Sequence, residues 1–253
     1  MADKFANRRI LITGSTRGLG YAAAQEFLEQ GAEVVIHGKD ESRVRKVTSE
    51  LANAYRARAR GFAADLNSRT EQDRLAEFAG ELDVLVNCAG VYEERFCADA
   101  TENHWKDTIE INLTAAWRLA RALSPGLKAR NGVIVNIGSD SALLGFAGSV
   151  AYCASKGALV GLTRALAVEL APHVRALCVC PGPVDTDMMR NSVAAQPDPV
   201  AARRQWESFP ILKRVATPKE IAEAILFAAS PTCSFQTGSL IVVDGGTTAG
   251  RIV

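Results

Sequence analysis

Tyr152 and Lys156 are the two residues of this chain whose types and spacing best suit proton transfer. They lie four residues apart, and on a helix that spacing places both side chains on one face. A free tyrosine hydroxyl has a pKa of about 10, and a nearby ammonium group lowers it by favouring phenolate. Lowering it by about two or three units requires roughly 3–4 kcal/mol, which would suit a general acid or base. Taken alone, the spacing favours a packed ring beside a solvated amine, so the rest of the chain must decide.

The composition fits one globular domain over 1–253, or at most two domains. The 253 residues are 48% hydrophobic and 23% charged, with a formal net charge of +1. That charge argues against binding of nucleic acid or membrane surfaces by bulk electrostatics. No apolar run reaches the roughly 18 residues of a membrane-spanning helix. Residues 1–9 have no signal-peptide core, so we expect a cytoplasmic protein.

The six cysteines are expected to be reduced thiols, because no export signal is predicted. Cys178 and Cys180 lie two apart in a strand-like run, so both face one side. A metal pair is conceivable there, but no His or Cys partners follow at zinc-like spacing. Buried thiols are favoured, and we predict no metal site.

The first 37 residues have the pattern of a βαβ unit. An apolar strand is predicted at 9–13, a glycine-rich turn at 14–20, a helix at 21–30 and a second strand at 33–37. Glycines let the backbone turn tightly and approach a pyrophosphate at the helix N-terminus. The spacing is G-x-x-x-G-x-G, which differs from the Rossmann fingerprint. A turn without a ligand is the alternative, but its position between strand and helix favours a dinucleotide.

Strands and helices continue to alternate along the chain. We predict further strands at 59–64, 83–86, 132–137, 174–180 and 240–243, and helices at 41–54, 70–78, 151–170 and 218–229; one or two helices are expected over 102–128, and 186–210 is irregular or helical. This order predicts an α/β fold, a Rossmann-like doubly wound parallel sheet with helices on both faces. Polar and glycine-rich segments follow the strands, where ligands of such sheets bind. One dinucleotide-sized site is therefore predicted.

The motifs, taken together and in order, resemble the short-chain dehydrogenase/reductase family over essentially the whole chain. They are Thr13-Gly14-x-x-x-Gly18-x-Gly20, Asn87-Cys88-Ala89-Gly90, Asn112, Ser139 placed 13 residues before Tyr152, Tyr152-x-x-x-Lys156, Pro181-Gly182 and Val243-Asp244-Gly245-Gly246. The resemblance implies an NAD(P)-dependent oxidoreductase that interconverts a carbonyl and a secondary alcohol. A dinucleotide-sensing module that has lost the chemistry is the alternative, but the intact catalytic set argues against it.

The resemblance also implies roles for individual residues. Tyr152 would exchange a proton with the substrate oxygen, while Lys156 would hold the ribose hydroxyls and lower the Tyr152 pKa. Ser139 would position the substrate oxygen, and Asn112 would hold a water that links Lys156 to solvent. The implied cofactor contacts are Gly14, Thr16, Arg17, Gly18, Leu19, Gly20, Lys39, Asp65, Leu66, Asn87, Ala89, Gly90, Tyr152, Lys156, Pro181, Gly182, Val184 and Thr186.

Two residues depart from the family pattern. Cys88 stands where a second Asn is usual, and Leu177 stands where a strand Asn is common. We expect both changes to alter support of the strands rather than the catalytic set. Ser141 is a second hydroxyl near the site, and a hydrogen bond to the local backbone is its expected role.

Substrate binding is expected from the segment at about 186–210 and from the loops after Gly90 and Ser139. Their apolar residues suggest a mostly apolar pocket, although core packing explains several of them equally well; they are Tyr92, Phe96, Leu143, Leu144, Phe146, Met188, Met189, Trp206 and Phe209. The broad class is 3-oxoacyl carrier-protein reductase-like. A small ketone or alcohol and a 3-oxoacyl thioester both remain open as substrates.

We expect NADP(H) to be preferred, with NAD(H) possible. NAD enzymes of this fold usually carry an acid after the second strand, where this chain has Gly38 followed by Lys39. Arg17 adds a second cation near a 2′-phosphate. Asp40 and Glu41 would repel that phosphate if the loop curls towards it.

The long helix predicted from 151 carries small residues that would allow close approach of a second helix. They are Ala154, Gly157, Ala158 and Gly161. With the family resemblance, they predict a homo-oligomer, a tetramer or dimer. Tight packing within one chain is the alternative.

Overall fold

The structure is a computed structural model that describes residues 4–56 and 58–250. The expectation about the first residues of the chain therefore lies partly outside the described residues, at 1–3. So do the outer limits of the predicted domain, at 1–3 and 251–253, and the single position 57.

Seven strands form one sheet, and all of the neighbouring strands are parallel. The strands are β1 (Arg9–Ile12), β2 (Glu33–Gly38), β3 (Ala59–Ala63), β4 (Val84–Asn87), β5 (Val133–Ile137), β6 (Arg175–Pro181) and β7 (Leu240–Val243). Their order across the sheet is β3-β2-β1-β4-β5-β6-β7. The chain thus moves outward in one direction from β1 and then in the other from β4. This change of direction creates a crevice at the carboxyl ends of β1 and β4, where a ligand binds in folds of this type.

Helices cover both faces of the sheet. They are α1 (Gly18–Glu29), α2 (Glu41–Ala54), α3 (Arg69–Ala79), α4 (Glu102–Ile109), α5 (Ala115–Ala129), α6 (Val150–Leu170), α7 (Asp187–Ala194), α8 (Pro199–Ser208) and α9 (Pro218–Ala229). Along β1, Ile10 and Ile12 pack on the side of α1 and α9, while Leu11 packs on the side of α3, α5 and α6. The strands are apolar on both faces, as expected for a parallel sheet that is buried on both sides. The α/β fold class is confirmed.

Two regions differ in detail from the sequence prediction. The first helix begins at Gly18 rather than Tyr21, because the glycines themselves form its first turn and carry no apolar pattern. The predicted helical region 102–128 contains a π-helical turn, Glu110–Thr114, between α4 and α5. The segment 186–210, predicted as irregular or helical, contains α7 and α8. Asp198 caps α8 by accepting from Val200 N–H and Ala201 N–H.

Within the described residues, none of the helices combines the length and the apolar character that crossing a bilayer requires. The same residues contain no group of three or more His, Cys, Asp or Glu side chains that could hold a metal ion.

Candidate active site

The glycine-rich loop after β1 is held against the ends of β2 and β4. Gly14 has a φ of +67°, and a Cβ there would lie 2.8 Å from Ala89 Cα. Gly14 N–H donates to Nδ1 of the buried His37 at 3.1 Å. At Gly20, a Cβ would lie 2.5 Å from the Gly14 carbonyl oxygen. Side chains at these positions would clash with the loop and with Ala89, so this tight packing requires glycine.

The N-terminus of α1 fits a pyrophosphate. Its first residue is Gly18, and Arg17 at the N-cap position makes no side-chain capping hydrogen bond. The first N–H groups of a helix have no partner within the helix, and a helix N-terminus favours negative charge. Thr186 lies beside this turn, since a Cβ on Gly18 would contact its side chain at 3.5 Å. The structure thus brings Thr186 to the predicted loop.

The ends of β1 and β4 are joined by Thr13. Its hydroxyl oxygen accepts from Cys88 N–H at 2.9 Å and from Ala89 N–H at 3.0 Å. Asn87 turns into the sheet and donates from Nδ2 to Asn136 Oδ1 at 2.8 Å. Among the described residues, the buried Oδ1 of Asn87 has no hydrogen-bond partner. That acceptor is consistent with a predicted contact between Asn87 and a dinucleotide.

Ser139, Tyr152 and Lys156 converge beyond the end of β5. Ser139 follows this strand by two residues, and the other two lie one turn apart at the start of α6. Lys156 is 4% exposed and donates from Nζ to Ile137 O at 2.7 Å. Its Nζ lies 5.6 Å from the centre of the Tyr152 ring. Helix α6 therefore positions the lysine between the tyrosine and the end of the strand.

Burial dominates the protonation of both side chains. It raises the pKa of Tyr152, and the Ser139 side chain opposes this effect while Asp140 adds to it. Burial also lowers the pKa of Lys156. The ammonium group of Lys156 is hydrogen-bonded to the Ile137 carbonyl, and its expected lowering of the Tyr152 pKa stays a prediction. At neutral pH the phenol is therefore a proton donor.

Asn112 lies in the π-helical turn and joins three parts of the chain. Its Oδ1 accepts from Val91 N–H at 2.8 Å, and its Nδ2 donates to Val91 O at 3.0 Å and to Ser155 Oγ at 3.1 Å. The side chain is 2% exposed. π-helical turns occur frequently at functional sites. Here the turn directs Asn112 inward, so that it fixes the loop after β4 against α6.

Arg17 and Lys39, the two cations predicted to lie near the 2′-phosphate of NADP(H), have different surroundings. Arg17 is exposed, whereas Lys39 Nζ forms an ion pair with Asp65 Oδ2 at 2.7 Å. Partial burial raises the pKa of Asp65, but hydrogen bonds from Lys39 and from Asn67 N–H outweigh it and lower the pKa. Asp40 caps α2 by accepting from Arg43 N–H. Its carboxylate is thus held by the helix that follows β2.

The remaining predicted cofactor residues lie in the loops around the sheet, and several of them pack against neighbouring elements. Thr16 packs on Gly38, where a Cβ would lie 2.8 Å from Thr16 Cγ2. Leu19 packs against the core on the α1 side, and Leu66 is buried in the opposite core. A Cβ on Gly90 would lie 3.6 Å from Lys156 Nζ. Pro181, Gly182 and Val184 lie at and beyond the carboxyl end of β6.

The apolar residues predicted for the substrate pocket fall into three groups: residues in aromatic contacts, one buried residue and four exposed residues. Tyr92 contacts Tyr152 edge-on, with ring centres 5.1 Å apart, and Phe209 packs against Phe146 at 5.8 Å and Trp206 at 6.1 Å. Met189 belongs to the buried core, whereas the others are exposed on the surface: Phe96, Leu143, Leu144 and Met188. A hydrogen bond from Gln196 to Glu94 joins the segment containing α7 and α8 to the loop after β4. This hydrogen bond holds the segment against the loop that contains Glu94.

Sequence reasoning missed two residues beside the predicted site, His37 and Asp140, and gave Cys88 no contact with Lys156. His37 supports the glycine-rich loop, and Asp140 accepts a hydrogen bond from Ser139 Oγ at 2.8 Å. Cys88 lies near enough to Lys156 for their charges to interact, although burial raises the pKa of this thiol to about 12. The expectation that this substitution alters support of the strands rather than the catalytic set stays a prediction. His37 and Asp140 are polar residues at strand ends, and that position was the available signal.

Comparison with known proteins identifies the class to which this fold and site belong. The family model described as enoyl-(acyl carrier protein) reductase matches residues 14–248. A 3-oxoacyl-acyl-carrier-protein reductase of Chlamydia muridarum is 34% identical, with 97% of this chain and 99% of the relative covered. 2-(S)-Hydroxypropyl-CoM dehydrogenase 3 of Xanthobacter autotrophicus is 35% identical, with 98% and 100% covered.

A solved structure agrees with these relatives. A putative NAD(P)-dependent gluconate 5-dehydrogenase of Beutenbergia cavernae, with NADP bound at low occupancy, has a TM-score of 0.92 at 31% identity, and the match covers 99% of this chain and 100% of that one. The fold and the matches define a dinucleotide-dependent oxidoreductase. The chain belongs to the short-chain dehydrogenase/reductase family. The matches support an enzyme and give no support to a dinucleotide-sensing module.

Proposed function

We propose that this chain interconverts a carbonyl and a secondary alcohol with Tyr152 as general acid and base. The observation that carries the proposal is the convergence of Ser139, Tyr152 and Lys156 beyond β5, beside the glycine-rich loop. A bound nicotinamide dinucleotide would supply or accept the hydride. The protein's part is to hold the substrate oxygen and to move one proton.

Each catalytic residue has a distinct role in this proposal. During reduction Tyr152 donates its proton to the substrate oxygen, and during oxidation it takes the proton back. Ser139 positions that oxygen beside the phenol. Lys156 holds the ribose hydroxyls, and Asn112 keeps the loop after β4 in place through its bonds to Val91 and Ser155. A water bound at this turn would continue the proton path to solvent.

Replacement of Tyr152 by Phe tests the assignment. Tyr152→Phe removes the hydroxyl and keeps the ring, so turnover should fall by roughly 10²–10⁴-fold while dinucleotide binding persists. Turnover is measured with a panel of ketones and secondary alcohols and both dinucleotides. Tyr55→Phe is the matched control, because Tyr55 bonds to the distant Glu29. Near-wild-type turnover of the Tyr152 variant would reject the proposal.

For the substrate, we propose a small ketone or secondary alcohol or a 3-oxoacyl thioester. The relatives represent both classes, since one is a 3-oxoacyl-acyl-carrier-protein reductase and another acts as a 2-(S)-hydroxypropyl-CoM dehydrogenase. The aromatic cluster of Phe146, Trp206 and Phe209 supports a largely apolar pocket. The same panel distinguishes the two classes.

For the cofactor, we propose a preference for NADP(H) over NAD(H). Thr16 fills the space beside Gly38 that a carboxylate would need, and Arg17 and Lys39 supply positive charge at the same end. Asp40 is held by α2, which supports the absence of repulsion from that residue. The bound NADP of the Beutenbergia cavernae protein is in line with this preference.

We propose further that the chain is one dinucleotide-binding domain over 1–253, with its substrate segment at about 186–210, and that it assembles as a homotetramer or homodimer. The small residues of α6 support assembly, because a Cβ on Gly157 or Gly161 would meet nothing within 4 Å among the residues that the structure describes. The six free cysteines support a reducing compartment such as the cytoplasm.

A further inference from the structure

Gln72, Glu110 and Arg118 form one polar cluster at the start of the π-helical turn. Gln72 lies on α3 and is 1% exposed, Glu110 is the first residue of the turn, and Arg118 lies on α5. Arg118 donates from Nη1 to Glu110 Oε1, which also accepts from Gln72 Nε2 at 3.2 Å. Gln72 Nε2 donates as well to Leu66 O at 2.6 Å, and its Oε1 accepts from Arg118 Nη1 at 3.4 Å. The start of the turn is thus tied to α3, to α5 and to the loop after β3.

The spacing of Glu110 and Arg118 favours the π-helical turn over a continuous α-helix. The two residues are 8 positions apart, and at about 100° per residue an α-helix would place them about 80° apart around its axis. A π-helical turn bonds residue i to i+5, so it takes one more residue than an α-helical turn and moves every later residue back by about 100°. The two side chains then lie within about 20° of each other around the axis, roughly two turns apart. Their ion pair therefore favours the π-helical form of this segment.

The position of the Asn112 side chain depends on this turn. Asn112 comes two residues after Glu110, inside the turn, and its amide bonds to Val91 N–H, Val91 O and Ser155 Oγ. Ser155 Oγ in turn donates to Tyr152 O at 2.7 Å. An α-helical path through the segment would turn α5 by about 100° relative to α4. With α5 packed in place, the Asn112 amide would then leave Val91 and Ser155.

We propose that this cluster is a set of positioning residues, which keep the π-helical turn formed and thereby hold the Asn112 amide at the loop after β4 and at α6. The inference rests on the proposed function, in which Asn112 keeps that loop in place. It gives residues outside the catalytic set a share in the geometry of that set. A misplacement of about 1 Å can cost about 10²-fold in rate, so removal of the ion pair should appear in kcat.

Hydrogen exchange at Val91 N–H reports the position of Asn112, because this amide donates to Asn112 Oδ1 at 2.8 Å. Arg118→Ala should raise the exchange rate at Val91 by about tenfold, as should Asn112→Ala. The exchange rate at Ala89 N–H should stay unchanged, because this amide of the same loop donates to Thr13 Oγ1 instead. The variant thus has an internal reference within three residues of the amide that it should affect.

Conservative and control variants separate the ion pair from charge in general. Arg118→Lys keeps a cation for Glu110 and should restore most of the protection at Val91. Arg121→Ala is the matched control, because Arg121 lies on the same helix and over the Trp117 ring, with 5.0 Å between the guanidinium carbon and the ring centre. This variant should leave the exchange rate at Val91 unchanged.

Turnover tests whether the cluster acts through Asn112. With NADPH and the ketone that the wild-type protein reduces fastest, Arg118→Ala should lower kcat by about ten- to hundredfold while the Kd of NADPH stays unchanged. The double variant Asn112→Ala/Arg118→Ala should lose no more turnover than Asn112→Ala alone, because both changes remove the same placement. Single losses that multiply in the double variant would show two independent effects and reject the inference.

The exchange measurement distinguishes this inference from the proposed function. Turnover that survives in Tyr152→Phe rejects the proposed function and leaves the exchange result standing. Protection at Val91 that persists in Arg118→Ala overturns the positioning role. Equal loss of protection at Val91 and Ala89 also overturns it, because the ion pair would then serve only general stability. If Arg118→Ala does not fold, Glu110→Gln, which keeps the side-chain volume and removes the charge, should shift the exchange rate at Val91 in the same direction, and an unchanged rate would reject the inference.

Discussion

Acidification should weaken this protein through His37. The imidazole is 2% exposed, its Nδ1 accepts from Gly14 N–H at 3.1 Å and its Nε2 lies 3.1 Å from Ala64 O. Since one ring nitrogen must accept, the native tautomer is neutral, with the proton on Nε2. Burial lowers the pKa of His37 from 6.5 to about 4, and the Ala64 carbonyl opposes the shift only in part.

The sign and size of the effect follow from proton linkage. Between pH 6.5 and about 4 the unfolded chain binds more protons at this position than the folded chain, so the free energy of unfolding falls as the pH falls. The two pKa values differ by about 2.5, which corresponds to about 3.4 kcal/mol. The contribution is complete above pH 6.5 and fully lost below about pH 4.

Urea unfolding at a series of pH values measures this loss. His37→Gln offers a neutral donor and acceptor but does not titrate, so the wild-type stability should fall by about 3.4 kcal/mol more than that of the variant across the window. All carboxyl groups titrate in both proteins, and their effects cancel in the difference. His173→Gln, which changes an exposed histidine near Asn131, should follow the wild-type curve. Parallel curves for wild type and His37→Gln would refute the reasoning.

The other predictions concern the cofactor and the assembly. The double variant Thr16→Ala/Gly38→Asp should prefer NADH. Gly38→Asp alone should lose activity with both dinucleotides, because Thr16 lies 2.8 Å from the new Cβ. Comparable kcat/KM values in the two variants would exclude the steric argument. Lys39→Ala should lower kcat/KM with NADPH by about tenfold, equivalent to about 1.4 kcal/mol, and Lys46→Ala on exposed α2 should not; equal effects would assign the loss to general charge. Light scattering at micromolar concentration should give a multiple of 27.0 kDa, and a value of one chain mass would contradict a homo-oligomer.

The order of strands and helices was predictable because apolar runs and helical periodicity alternate along the chain. The turn at Glu110–Thr114 was not, since a π-helical turn and an α-helix share nearly the same sequence pattern. The first turn of α1 was missed for a related reason, because Gly18 and Gly20 give no amphipathic signal. Local pattern thus determines the elements, while irregular turns depend on packing between them.

The convergence of Ser139, Tyr152 and Lys156 beyond β5 could be predicted from residue types and spacing, but the hydrogen bonds and burial of these side chains could not. Tyr152 and Lys156 were expected to interact as phenol and ammonium, yet the lysine is directed to the Ile137 carbonyl. The ion pair between Lys39 and Asp65 was likewise invisible, because it joins residues after two different strands. Such distances and depths of burial arise from tertiary structure, and a sequence pattern carries no measure of them.

The surroundings of Lys156 connect the unusual residues of this chain to its chemistry. Cys88 replaces an amide near the lysine, and Cys178 and Cys180 lie on the same side with their sulfur atoms 3.7 Å apart. Thiols are weak hydrogen-bond partners, so burial lowers the pKa of the lysine with little compensation from its neighbours. The negative charge of Asp140 adds to the raised pKa of Tyr152. The lowered pKa of Lys156 and the charge of Asp140 therefore both favour the neutral form of Tyr152. The neutral phenol can donate its proton to a carbonyl oxygen directly.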